Sequence, residues 1–262
     1  MKNITALALA ALTAGSAYAQ TATSAVSAPA AATPSSDISV AGRFGWSDKN
    51  VYLGKTRSDT EGKIQSTVTV ESAVPGFAGV NAYVSFYNAD NFERSLAIGA
   101  RTDWTSVGQV EVGVSRSNTA GANAGATLSA KGYTQADRSR QVYAGLKLSK
   151  AFLTPSAYLY YDTDLKQTNF VVSAQKDFEG KDLGVPGFDL ETKAYLGLVD
   201  AKATSYDVKN AYVYLGASAD VTRRIGTGAK VGLGLNWAYN TDGQVKTSGS
   251  SVWLKAYANF KF

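Results

Sequence analysis

VWLKAYANFKF, Val252 to Phe262, ends the chain, and its pattern decides the fold. Val252, Leu254, Ala256, Ala258, Phe260 and Phe262 are apolar. Trp253, Lys255, Tyr257, Asn259 and Lys261 between them are polar or amphipathic. A period of two places these sets on opposite faces of an extended strand. Such a strand fits a soluble sheet with one covered face, or a sheet whose apolar face meets lipid. The choice depends on how many such strands the chain holds.

Working back to the start, eleven more runs alternate in the same way. They are Ser39 to Trp46 (with a short resumption at Val51 to Leu53), Ile64 to Val74, Phe77 to Tyr87, Ser95 to Trp104, Gln109 to Ser117, Arg138 to Ser149, Ser156 to Tyr161, Thr168 to Phe178, Phe188 to Val199, Lys209 to Val221 and Ala229 to Tyr239. Pro75-Gly76 and Thr105 to Gly108 are tight turn signals. Asn118 to Asp137 is a long Gly/Ala-rich loop. Twelve strands result, or ten if two weak runs merge. The even number places both ends of a closed barrel on one side. The longest links then follow the first, fifth and eleventh strands, on the opposite side. The ten-residue-scale link Glu179 to Gly187 departs from that asymmetry.

The first nineteen of the 262 residues read as a cleaved export signal. Lys2 supplies a basic start, Thr5 to Thr13 an apolar run, and Ala17-Tyr18-Ala19 a small-x-small cleavage site. Residues 20–37 are rich in Ala, Ser, Thr and Pro and read as a disordered periplasmic leader. Residues 38–262 then form one domain. No apolar run is long enough for a membrane-spanning helix. Cysteine is absent, so disulfides and a lipid-anchoring cysteine are excluded. Histidine is absent as well. That removes the usual general base of a Ser–His or Asp–His hydrolase and the commonest metal ligand, so neither an enzyme nor a cofactor is expected. The formal charge of +5 falls to +4 without Lys2 (5 − 1). A small scattered surplus on an exported chain gives no case for nucleic acid binding.

Alternation assigns the two faces. One carries Val68, Val84, Ile98, Val112, Val142, Leu196, Leu233 and their neighbours, almost without charge. The other carries Arg43, Glu71, Tyr83, Arg101, Glu111, Tyr143, Lys147, Glu191, Lys193, Tyr195, Tyr212, Tyr214, Lys230, Lys255 and Tyr257. A charge on a lipid face costs roughly 2–4 kcal/mol at the bilayer midplane, so the lack of one is informative. A soluble β-sandwich alternates too, but its strands are usually shorter than these runs of about 9–12 residues. An all-β single antiparallel transmembrane barrel with short periplasmic turns is the predicted fold. Trp46, Trp104, Tyr161, Trp237 and Tyr239 fall near strand ends, as an interfacial girdle requires.

A terminal aromatic residue behind a strand of this kind resembles the closing strand of bacterial outer-membrane barrels. That resemblance implies that Phe262 is part of the signal read by the barrel-assembly machinery. VYLGKTRSD (Val51 to Asp59), GKIQSTVTVES (Gly62 to Ser72), GFAGVNAYVSFYNAD (Gly76 to Asp90) and TPSAYLYYDTDL (Thr154 to Leu165) resemble the TorF-type porins of Gram-negative bacteria. The resemblance is stronger in the N-terminal half. It implies an outer-membrane barrel with a pore function and contributes no catalytic residues. Trimeric general porins have larger barrels, so a monomer in outer-membrane lipid is expected.

The expected function is passive diffusion of small hydrophilic solutes. Opposed charges across a lumen would set ion preference, and the basic excess among the inward residues leans toward anions. The same charges could instead pair and fill the interior, and the tyrosines could stack solutes or simply pack. The rival function is a plugged barrel with a structural or adhesive role, acting through loops such as Asn118 to Asp137. Asp162-Thr163-Asp164 reads as a solvated turn and not a calcium site.

Overall fold

The computed structural model describes residues 38–262 apart from 53–54, 59–61, 90–92, 105, 107, 120–137, 165, 202–210 and 242–248. The signal and leader readings, and nearly all of the Asn118 to Asp137 loop, lie outside the described residues. Fourteen strands are present among them: β1 (Ser39–Ser47), β2 (Asn50–Tyr52), β3 (Lys55–Ser58), β4 (Lys63–Ala73), β5 (Val80–Ala89), β6 (Glu93–Asp103), β7 (Gln109–Thr119), β8 (Arg138–Lys147), β9 (Thr154–Asp162), β10 (Gln167–Phe178), β11 (Asp189–Ala201), β12 (Ala211–Arg224), β13 (Ala229–Asn240) and β14 (Gly249–Lys261).

Twelve of these close into one antiparallel barrel, each strand beside its sequence neighbours and β1 against both β4 and β14. Closure pairs every edge, which is how a sheet of this size escapes unpaired backbone groups. Phe262 completes the seam: its N–H donates to Val40 O at 2.8 Å and its carbonyl accepts from Val40 N at 3.0 Å. Both ends of the described chain therefore lie at one end of the barrel, here called the terminal end. The links 74–79, 148–153, 179–188 and 225–228 also lie there, and the opposite end is here called the loop end.

The resumption expected at Val51 to Leu53 is not part of the barrel. Residues 50–52 pair with 55–58 as a separate hairpin, β2–β3. The third expected run begins three residues later than its alternation suggests. Gly76 and Gly79 both take positive φ (83° and 76°), and Val74 N–H donates to Val80 O, so residues 75–79 form the turn itself. The short run near Ser156 extends to a full nine-residue strand, so none of the twelve merges.

The apolar rows point outward. Leu233 is 68% exposed and Leu254 55%, while Tyr257 and Trp253 on the other face of β14 are each 6% exposed. A sandwich core would reverse that order, with aliphatic residues inside. Here the interior is built of Tyr, Asn, Ser, Thr and charged residues, and the exterior of Val, Leu, Ile and Phe. Trp46, Tyr161, Trp237 and Tyr239 ring the loop end of the outer face, and Trp104 lies in a turn at the terminal end.

Candidate functional site

The interior is the candidate site, and strand parity puts every polar residue singled out from the sequence on its wall. Their charges concentrate toward the terminal end, in two groups. The first spans β4 to β9. Arg101 donates through Nε to Glu71 Oε1 at 2.7 Å and through Nη2 to the second carboxylate oxygen. Its guanidinium lies 5.7 Å from the Tyr83 ring centroid. Tyr83 donates its hydroxyl proton to Glu111 Oε1, and Tyr158 donates to Glu111 Oε2 at 2.7 Å. The Tyr83 hydroxyl also meets that of Tyr143. A phenol has one proton, so Tyr143 must be the donor in that contact. Glu111 thus accepts from two phenols, one at each carboxylate oxygen.

The second group spans β11 to β14 and β1. Lys230 pairs with Glu191. Asp220 Oδ2 accepts from Lys255 Nζ at 2.8 Å and from the Tyr257 hydroxyl at 3.0 Å. Arg43 stacks on the Tyr257 ring, its Cζ 3.8 Å from the centroid.

The contacts made by these carboxylates share one geometric rule, that the partners sit two strands apart. Glu71 and Arg101 reach over β5, Tyr83 and Glu111 over β6, Tyr158 and Glu111 over β8, Glu191 and Lys230 over β12, and Asp220 and Lys255 over β13. Several cross above an inward glycine. A methyl group on Gly234 would strike Asp220 and Lys255, and one on Gly99 would strike Tyr83. Gly197 faces Tyr214 in register, and its missing side chain lets Tyr214 lie flat and donate to Asn169 Oδ1 at 3.0 Å. Inward glycines are therefore structural partners of the large side chains that cross them. Parity places each on the polar face, and register sets Gly99 opposite Tyr83, Gly197 opposite Tyr214, and Gly234 between Asp220 and Lys255.

Two of the six cations singled out from the sequence stand apart. Lys147 on β8 and Lys193 on β11 make no hydrogen bond or ion pair with any described residue. Three of those six, Arg101, Lys230 and Lys255, thus pair along the wall, as the network alternative requires, and Lys147 and Lys193 point inward without such a pair among the described residues. Asn169 Nδ2, Asp220 Oδ1 and both amide atoms of Asn259 are buried without a partner among the described residues. In a water-filled interior such atoms are solvated, whereas in a dry one each costs about 1–3 kcal/mol.

One sector of the wall is tightly packed. Tyr160, Val171, Tyr195, Val199, Tyr212 and Tyr214 form a buried cluster on β9 to β12. Tyr195 and Tyr212 lie 6.2 Å and 6.3 Å from Tyr214 by ring centroid, so most of the inward tyrosines pack on one another. The expected solvated turn at Asp162-Thr163-Asp164 is divided by parity. Asp162 is inward and buried, accepting from Ser139 and from Gln141 Nε2 at 3.3 Å. Asp164 lies in the turn and pairs with Arg140 at 2.6 Å. Those hydrogen bonds hold the Asp164 carboxyl below the usual carboxylate range. Asp162 continues the inward row Tyr158, Tyr160, so its place was legible and missed.

No protein-family model matches the chain, and no curated protein matches it. Among solved structures, the chain is similar to the NanC porin at 8% identity and a TM-score of 0.49, covering 85% of this chain and 100% of that one. It is similar to the KdgM porin at 10% identity and a TM-score of 0.46, covering 86% and 99%. It is similar to OprD of Pseudomonas aeruginosa at 11% identity and a TM-score of 0.42, covering 86% of this chain and 66% of that one.

Proposed function

We propose that this chain is an outer-membrane channel for passive diffusion of small hydrophilic solutes, with a preference for anions, and that it belongs with the TorF-type porins whose segments it resembles. The observation that carries the channel reading is the inversion of the barrel. Its outer face is an apolar belt too large to leave in water, and its inner face is polar. Lys147 and Lys193, without carboxylate partners among the described residues, supply the anion preference. Phe262 lies at the seam, exposed at the terminal end, where the assembly machinery would read it.

The Tyr160 to Tyr214 cluster favours a second reading, in which the lumen is filled and the barrel acts through its loops. Conductance separates the two. The barrel refolded into a planar bilayer should give discrete steps, with a reversal potential in a salt gradient that reports anion preference. A folded, inserted barrel without conductance refutes the channel and leaves the second reading.

A further inference from the structure

The outward row of three adjacent strands changes character toward the loop end. On β6, β7 and β8 the apolar residues Leu96, Val114 and Val142 are each followed there by an arginine: Arg94, Arg116 and Arg140. Register brings the three together. Arg116 lies directly opposite Arg140, and Arg94 opposite Asn118, one outward step from Arg116. Asn88 lies opposite Arg94 on the other side. All three arginines are exposed. Like charges directly opposed on one face of a sheet are destabilising. Asp164 relieves Arg140, holding it through Nη2 at 2.6 Å and Nε at 3.1 Å. Arg94 and Arg116 make no hydrogen bond or ion pair with any described residue. The outward cations Lys176 and Arg223, on the terminal-end half of the wall, differ. They lie over the Phe152 and Phe188 rings, 4.1 Å and 5.2 Å from the centroids.

Two guanidinium groups without acid partners among the described residues, beside asparagine amides and at the edge of an apolar belt, are complementary to an amphiphile. Its acyl chains would lie on Leu96, Ile98, Val112, Val114 and Val142, and its phosphate would meet the arginines in bidentate fashion. We infer that Arg94 and Arg116 form a binding site for the phosphorylated headgroup of an outer-leaflet glycolipid. The inference rests on the outer-membrane reading, which places the loop end outside the cell.

Native mass spectrometry of the folded barrel in detergent tests it, with diphosphoryl lipid A as the probe. Each arginine beside an anionic lipid surface is worth about fivefold in affinity, so R94Q/R116Q should bind about thirtyfold more weakly than the unaltered chain. K176Q/R223Q, with the same change of charge at the other rim, should bind as the unaltered chain does. Retained heat-modifiable migration checks folding of each variant, and R94Q alone serves if the double variant fails to fold. Undiminished binding by R94Q/R116Q, or equal binding of fully dephosphorylated lipid A, overturns the site. Competition by inorganic phosphate at the concentration of lipid A also overturns it, because the ligand is then free phosphate. Failure of the unaltered barrel to insert into vesicles refutes the membrane reading instead, and is scored separately by protease protection.

Discussion

Replacing Lys193 with glutamate tests the channel at one of the two inward lysines without an ion pair among the described residues. An ion passing about 5 Å from a lysine ammonium in an aqueous lumen is shifted by about 0.8 kcal/mol. Screening at 0.1 M salt reduces that to about 0.5 kcal/mol. Reversing the charge doubles the change, to about 1 kcal/mol against anions and as much in favour of cations, from the same Coulomb estimate. The differential of about 2 kcal/mol corresponds to a cation-to-anion permeability ratio raised about thirtyfold. At about 10 Å the same arithmetic gives about threefold, so the size of the effect measures the width of the lumen at Lys193. The assay is the reversal potential of single channels in a salt gradient. Lys176 supplies the control. It lies opposite Thr192, whereas Lys193 lies opposite Gln175, so the two lysines are near neighbours on opposite faces of the wall. K176E should leave the reversal potential unchanged. Discrete channels with the same reversal potential in K193E and in the unaltered protein would refute a conducting path past Lys193.

Other consequences of the interior can be measured by urea unfolding in vesicles. G197A places a methyl group within the Tyr214 ring and should cost about 1–3 kcal/mol, with G197A/Y214A recovering part of the loss. An unchanged midpoint for G197A would mean that Tyr214 does not lie across the glycine. E71Q leaves Arg101 without its carboxylate. Both side chains are partly solvated, so the cost should be about 1–3 kcal/mol, and E71Q/R101Q should be more stable than E71Q alone. Deleting Phe262 removes two seam hydrogen bonds worth about 1 kcal/mol each, so refolding from urea should survive while assembly in cells falls. Equal amounts of assembled barrel in cells would show that Phe262 is not read as a signal.

The period of two was enough to fix which way each side chain points, because parity is a local property of an extended chain. VWLKAYANFKF already separates Leu254 from Lys255, and the same alternation located twelve strands to within a few residues. Where it failed, other local structure intervened: Gly76 and Gly79 at positive φ delay β5, and residues 50–52 pair with 55–58 outside the barrel. Partnership is different. Whether Lys230 or Lys193 meets Glu191, or whether Tyr83 reaches Glu111, depends on register and on contacts that cross an intervening strand. Glu71 and Arg101 are thirty residues apart, and nothing in either segment names the other. The outward Arg94 and Arg116 likewise become neighbours only when β6 and β7 pair in one register. The sequence by itself determined the faces, and so the class of fold, because each strand carries that information within a few residues. The tertiary structure alone decided which charges are neutralised and which remain, because barrel closure sets the heights at which next-but-one strands present their side chains.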